Sequence, residues 1–90
     1  MKSRTTRRFR KCLSELPDEV REQARQAYSH FVEDPYHPGL RFKNVNPEPR
    51  VYAVRITRDY RALGVWGKEN IITWFWIGSH KDYERILDEL

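Results

Sequence analysis

The sequence has little cysteine and no long apolar run. Cys12 is the only cysteine in the 90 residues, so an internal disulfide is impossible, and no Cys/His set has the spacing of a zinc site. No run approaches the roughly 18 apolar residues of a membrane-spanning helix, and no apolar stretch of signal-peptide length follows the basic start MKSRTTRRFRK. We therefore expect a cytoplasmic protein with no membrane span, no zinc site and no cofactor.

The charge balance is basic. Seventeen Lys and Arg residues against thirteen Asp and Glu give a net charge of +4 and a sequence pI near 9.5, which favours a polyanionic partner, either nucleic acid or an acidic protein. No repeat and no low-complexity tract divides the chain. A length of 90 residues limits it to one compact core, so residues 1–90 are predicted to form a single domain.

The first third of the sequence has helical periodicity. From Arg7 to Leu16 the apolar side chains recur at i, i+3, i+4 and i+7, and Thr5 or Thr6 could cap the start. Pro17 fits the first turn of a second helix, whose apolar side chains again share one face and which ends at Asp34 before a proline. This pattern predicts a helical hairpin.

The rest of the sequence reads as strands and a short final helix. We predict four strands, at Leu40 to Val45, Val51 to Thr57, Tyr60 to Trp66 and Ile71 to Ile77, with a turn at Asn46 to Pro49 and a closing helix from His80 to Leu90. Two helices followed by strands with short connections indicate an α+β fold, in which the hairpin packs on a mostly antiparallel four-stranded sheet.

Four basic residues are predicted to share the open face of this sheet. Side chains alternate between the two faces of a strand, so Arg55 points away from the face that holds its apolar neighbours. The same argument applies to Arg61. Arg41 and Lys43 would lie beside them if the first strand is the neighbour in the sheet. Such a patch suits the phosphates and unstacked bases of single-stranded RNA. The alternative is an ordinary solvated face, on which the arginines pair with Asp59 or Glu69.

The segment GSHKDY places proton-transfer groups directly after the last strand. His80 can exchange a proton near neutral pH, Tyr83 can stack on a base or donate a hydrogen bond, and Lys81 adds a cation for phosphate. A histidine at a strand end can equally have a structural role. For Trp74 and Trp76 we expect packing in the core.

The arrangement resembles the RelE/ParE superfamily of bacterial toxins from type II toxin–antitoxin systems. The segments that carry the resemblance span nearly the whole chain: LPDEVREQA, DPYHPGLRFKNV, YAVRITRDYRALG and WIGSHKDYERIL. The resemblance implies a small α+β fold similar to microbial ribonucleases. It also implies metal-independent mRNA cleavage on the ribosome in the RelE-like branch, which we favour, or poisoning of DNA gyrase in the ParE-like branch. A third possibility is a relative that has lost catalysis and retains antitoxin or RNA binding.

Site residues follow from the resemblance position by position. Arg61 matches the arginine that stabilises the phosphate, Arg55 matches a nearby basic position, and His80 and Tyr83 match the proton-transfer and base-contact positions. Some relatives carry a glutamate as the base on the first strand, whereas this chain has Arg41-Phe42-Lys43 there. His80 would then act alone, or Lys43 would assist it. The implied partners are an acidic antitoxin, mRNA and the ribosome.

Overall fold

The computed structural model describes residues 1–48 and 50–90, and it shows three helices and one five-stranded sheet. The elements in chain order are β1 (Lys2–Thr5), α1 (Arg7–Ser14), α2 (Asp18–Glu33), β2 (Lys43–Asn46), β3 (Val51–Thr57), β4 (Tyr60–Trp66), β5 (Ile71–Ser79) and α3 (His80–Glu89), with short 3-10 turns at Pro38–Leu40 and Lys68–Asn70. The α+β class and the final helix are as predicted. Part of the predicted turn at residues 46–49 lies outside the described residues, because position 49 is not described.

The sheet differs from the predicted four-stranded one because it has an additional parallel strand. The strand order is β1-β5-β4-β3-β2; β1 pairs parallel to β5, and the other neighbours are antiparallel. The predicted last strand is therefore an interior strand with partners on both sides. We missed β1 because its four residues are polar or basic and show no apolar alternation.

The two helices of the predicted hairpin pack on different strands of the sheet. The Thr6 hydroxyl caps α1 by accepting a hydrogen bond from the backbone N–H of Phe9 at 3.1 Å, and α2 begins after Pro17 with Asp18 and Glu19 in its first turn. Helix α1 packs mainly on β5, whereas α2 packs mainly on β3. An apolar groove of about 730 Å³ lies between the two helices. No helix among the described residues combines the length and apolarity needed to cross a membrane.

The start of β2 is a second difference from the sequence prediction. Arg41 has φ 48° and ψ 42°, a left-handed conformation that no strand can contain, so the strand begins only at Lys43. Leu40 and Phe42 are both buried, although neither lies in a strand. Leu40 and Phe42 alternate with polar residues as in a strand, but they belong to a loop that packs against the core.

Both faces of the sheet are covered. The face under α2 holds the larger core cluster, which includes Phe31, Val54 and Trp74, and we call it the α2 face. On the other face, α3 packs through Tyr83 against a smaller cluster that includes Leu63 and Trp76, and we call it the α3 face. The face that we expected to be open is thus partly covered by α3.

The two buried tryptophans reach opposite faces because β5 contains a bulge. Trp76 pairs with Leu63 and Trp74 pairs with Gly64, so Phe75 is an extra residue in the ladder. Trp74 packs on the α2 face and Trp76 on the α3 face, each with 6% of its surface exposed. The strand therefore contributes a large aromatic side chain to each core cluster.

Candidate active site

Two arginines face each other at the turn end of the β3–β4 hairpin. Arg55 and Arg61 are register partners on the two strands, and both are half-buried. Because Ala53 and Leu63 alternate in step with them and pack in the α3-side cluster, both arginines lie on the α3 face. The predicted neighbours on adjacent strands are thus brought together as a directly opposed pair of like charges.

The backbone of the hairpin turn holds the guanidinium group of Arg61. Its Nη1 donates hydrogen bonds to the carbonyl oxygens of Thr57 at 2.7 Å, Tyr60 at 3.0 Å and Arg58 at 3.1 Å. Burial lowers the pKa of Arg61 below its ordinary value, and the positive charges of Arg55 and Arg41 lower it further. Arginine nevertheless stays charged in proteins, so Arg61 is a cation fixed in position in a partly desolvated site.

Tyr83 closes one side of this site. Its ring is buried with 6% exposure and packs in the α3-side cluster. Burial raises the pKa of its hydroxyl above the usual value; Arg61 opposes this shift, and Glu84 adds to it. The hydroxyl therefore keeps its proton at neutral pH and can donate a hydrogen bond to an anion that binds beside Arg61.

His80 begins α3 and is attached to the hairpin turn. Its backbone N–H donates to the carbonyl of Asp59 at 2.8 Å, which ties the start of α3 to the turn between β3 and β4. The imidazole centroid lies 5.6 Å from that of Tyr83, and 42% of the side-chain surface is exposed. The residues predicted for proton transfer and for base contact, His80 and Tyr83, are therefore neighbours, and His80 is the more exposed of the two.

Glu84 is a site residue that sequence reasoning missed. Its Oε1 lies 3.3 Å from Nδ1 of His80, one helical turn earlier. A carboxylate close to Nδ1 favours the imidazole tautomer with its proton on Nδ1, which leaves Nε2 able to act as a base. The available signal was the i, i+4 spacing from His80 in a predicted helix, which places both residues on one face.

The remaining predicted cations surround the arginine pair to different extents. Arg41 is exposed, and its charge acts on Arg61, although it lies in a loop rather than in the predicted strand. Lys43 pairs with Ala53 on β3, so both lie on the α3 face. Ala53 is two residues from Arg55, the register partner of Arg61. Lys81 is exposed in the first turn of α3, and the structure gives it no contact with the arginine pair.

The ion pairs expected for an ordinary solvated face are not formed within residues 1–48 and 50–90. No carboxylate there lies within ion-pair distance of Arg41, Arg55 or Arg61, and the ion pairs that do form involve other residues. Asp59 acts on Arg61 only as the weakest of the neighbouring charges. The three guanidinium groups thus form a site of uncompensated positive charge, which is suited to phosphate oxygens.

Comparison with known proteins assigns this chain to a family. A family model described as the ParE-like toxin domain matches residues 18–85. No curated protein matches the sequence.

Several solved structures share the fold at low sequence identity. The RelB–RelE antitoxin–toxin complex from Methanococcus jannaschii aligns with a TM-score of 0.71 at 14% identity, covering 92% of this chain and 96% of that one. The toxin–antitoxin complex RelBE2 from Mycobacterium tuberculosis gives 0.68 at 18% identity, with coverages of 88% and 96%. The isolated E. coli RelE toxin gives 0.66 at 19% identity, with coverages of 99% and 98%.

The family match covers most of the chain, from the start of α2 into α3. The fold shared with RelE toxins agrees with it and extends over β1 and α1 as well. The chain belongs to the ParE-like toxin domain family and is a RelE/ParE superfamily toxin of a toxin–antitoxin system.

Proposed function

We propose that this toxin is a metal-independent endoribonuclease that cleaves mRNA on the ribosome, and hence acts in the cytoplasm. The observation that carries the proposal is the opposed pair Arg55 and Arg61, joined by Arg41 and without a carboxylate partner among the described residues, beside the protonated hydroxyl of Tyr83. Like charges placed together in a partly buried site destabilise a fold. An anionic ligand such as a phosphodiester would remove this repulsion.

The chemistry is an internal displacement at phosphorus. The ribose 2′-oxygen attacks the adjacent phosphorus, the bond to the 5′-oxygen breaks, and the products are a 2′,3′-cyclic phosphate and a 5′-hydroxyl. Nε2 of His80 takes the proton from the 2′-hydroxyl, and the Glu84 carboxylate beside Nδ1 stabilises the imidazolium that forms. Arg61 and Arg55 stabilise the extra negative charge on the phosphate oxygens, and Tyr83 donates a proton to the leaving 5′-oxygen.

Removing either Arg61 or His80 should abolish most of the cleavage. A preorganised cation of this kind commonly contributes about 3 to 4 kcal/mol to a transition state, and proton transfer contributes roughly 10²- to 10⁴-fold in rate. We therefore expect Arg61→Ala and His80→Ala each to slow cleavage at least about 100-fold. Primer extension on mRNA from translating ribosomes measures the cut.

The matched control is Arg85→Ala. Arg85 is an exposed arginine on α3 that pairs with Asp82, and it should leave the cleavage rate unchanged. If the wild-type protein leaves the mRNA as intact as the two site variants do, the endoribonuclease proposal is wrong.

A second candidate function is inhibition of DNA gyrase without RNA cleavage. It is favoured by the description of the matched family, which is ParE-like, and by the partly exposed position of His80, which contacts Glu84 rather than Arg61. A gyrase supercoiling assay separates the two candidates. Inhibited supercoiling together with intact mRNA would support this alternative against the proposed nuclease.

We also propose an acidic antitoxin as the partner, docking an amphipathic helix in the groove between α1 and α2. The groove walls are apolar, with Phe9, Leu13, Tyr28 and Trp74 among them. Arg4 lines the groove without an ion pair among the described residues, and Arg21 and Arg25 line it while paired with Asp18 and Glu22. The solved structures that share the fold include antitoxin–toxin complexes. An apolar groove with basic residues is the complement of a helix that has one apolar and one acidic face.

Co-expression with the neighbouring reading frame and size-exclusion chromatography test the partner. Tyr28 lines the groove and is 47% exposed, so Tyr28→Glu should prevent co-migration without unfolding the toxin, whereas Arg61→Ala should co-migrate normally. Co-migration that Tyr28→Glu does not alter would place the antitoxin elsewhere.

A further inference from the structure

The positive charge of this protein is concentrated at its amino-terminal end. The first sixteen residues contain six Lys or Arg and one acidic residue, Glu15, which leaves eleven cations and twelve acidic residues for the remainder of the chain. All six cations are exposed on β1 and α1. We call this set the amino-terminal basic surface: Lys2, Arg4, Arg7, Arg8, Arg10 and Lys11.

These cations are placed against the preference of the helix that carries them. The first turn of α1 contains Arg7 and Arg8 and no acidic residue. The amino-terminal end of a helix carries partial positive charge, so a cation there is disfavoured. By contrast, α2 begins with Asp18 and Glu19, as the helix dipole favours. Local helix stability therefore does not explain the arginines of α1.

The surface also lacks internal charge compensation. Throughout the described part of the chain, no carboxylate lies within ion-pair distance of any of its six cations. Arg10 alone is fixed by the protein, through Nη1, which donates to the carbonyl and the hydroxyl oxygen of Thr5 at 3.0 and 2.9 Å. The other five side chains are exposed and can meet an external polyanion, and one of them, Arg4, also lines the groove between α1 and α2.

This surface is separate from the candidate active site. Strand β1 pairs with residues 71–74 at the start of β5, whereas Arg61 on β4 pairs with Gly78 near its end. The charges that act on Arg61 come from Arg55, Arg41, Asp59 and Tyr83, and none comes from β1 or α1. Strand β1 therefore lies away from the arginine pair, whereas the later residues of α1, such as Cys12, share a small pocket with Tyr60 and Ser79.

We propose that the amino-terminal basic surface binds the phosphate backbone of duplex RNA. Its exposed groups are Arg and Lys, and the one aromatic residue of α1, Phe9, lines the groove instead, so the surface offers charge without a platform for stacking on bases. Cations without stacking groups recognise backbone rather than sequence. Four of the six are arginines, whose planar fork of donors fits phosphate oxygens.

Salt-dependent binding to a plain RNA hairpin tests this proposal. The probe is a fluorescent, fully paired RNA stem, and its affinity is measured by anisotropy between 50 and 300 mM salt. All proteins carry Arg61→Ala, so cleavage does not interfere. We compare this background with the triple variant Arg7→Gln, Arg8→Gln, Lys11→Gln and with the matched triple Arg50→Gln, Lys68→Gln, Arg85→Gln, which removes the same charge from other exposed positions.

The amino-terminal triple variant should reduce the slope of log K against log salt by about two to three units, since each lost phosphate contact removes about one unit. The matched triple should reduce the slope by less than one unit. Equal slopes for the two triples would overturn the proposal. So would a triple variant that weakens binding to polyglutamate but not to the RNA stem, because that result would assign the surface to an acidic protein. Neither outcome depends on whether the protein cleaves mRNA.

Discussion

At the scale of single residues, the arginine pair on β3 and β4 works against the fold. Cross-strand neighbours of like charge are destabilising, and Arg61 is in addition partly buried, with a pKa below its ordinary value. Because the folded state disfavours the charged form, the charge of Arg61 lowers stability at neutral pH, where the guanidinium remains protonated. Binding sites commonly keep such unfavourable groups because the ligand compensates for them.

Neutralising the partner of Arg61 should stabilise the free protein. Arg55→Gln removes the charge that is the largest electrostatic cause of the lowered pKa of Arg61, and we expect the free energy of unfolding to rise by about 0.5 kcal/mol in low salt. The gain should shrink at high salt because salt screens the repulsion. Arg58→Gln, an exposed residue of the same hairpin turn, is the control. A loss of stability in Arg55→Gln in urea titrations would contradict this view of the pair.

The raised pKa of Tyr83 should appear in the pH dependence of stability. A folded-state pKa above the unfolded value favours the folded state below about pH 10, the ordinary tyrosine value, and this contribution is lost as the pH rises through the raised pKa. Tyr83→Phe removes it. The free energy of unfolding should therefore fall more steeply above about pH 10 in the wild-type protein than in Tyr83→Phe. Parallel curves between pH 8 and 11 would show that the hydroxyl is not desolvated.

At the scale of elements, sequence patterns were sufficient where side-chain periodicity decides the structure. Both strands of the β3–β4 hairpin have the predicted bounds, and α3 begins at His80 as predicted. Strand β1 was not predictable in this way, because it is held by backbone pairing to β5 and by the Trp74 indole N–H, which donates to the Ser3 hydroxyl at 3.4 Å. Such long-range contacts leave no periodic signal in the sequence.

In the candidate site too, some positions follow from side-chain periodicity and others depend on contacts between distant residues. Strand alternation was enough to place Arg55 and Arg61 on one face, and helical spacing was enough to bring His80 near Tyr83. The position of Arg41 depends on a left-handed backbone conformation, which an ordinary residue adopts only when surrounding packing imposes it. The local sequence therefore does not predict that Arg41 lies near Arg61.

The end of β5 requires a glycine because Trp76 packs directly against it. Gly78 is buried within the strand, and a Cβ there would lie 2.5 Å from Cζ2 of the buried Trp76. Gly78→Ala should thus displace the indole and destabilise the fold by about 1 to 3 kcal/mol. Gly67→Ala is the matched control, since its nearest atom is 3.9 Å away and its φ is −98°. Equal melting temperatures for the two variants would contradict the packing argument.

At the scale of the whole molecule, three surfaces differ in chemistry. The arginine pair lies on the α3 face, and the apolar groove lies on the α2 face between α1 and α2. The amino-terminal basic surface lies on β1 and α1 and shares Arg4 with the groove. An antitoxin helix in the groove would leave the arginine pair uncovered. For the proposed nuclease, the antitoxin would then inhibit either through a further segment that crosses to the α3 face or by being large enough to keep the toxin away from the ribosome.

The chemical identity of the cut RNA ends tests the proposed activity most directly. After wild-type protein has acted on translating ribosomes, the fragments should carry a 2′,3′-cyclic phosphate and a 5′-hydroxyl, and a single 2′-deoxynucleotide placed at the mapped cut should prevent cleavage there. Arg61→Ala should give neither fragment in the same time. Fragments with a 5′-phosphate, cleavage at the deoxynucleotide, or intact mRNA with the wild-type protein would contradict 2′-hydroxyl attack assisted by Arg61.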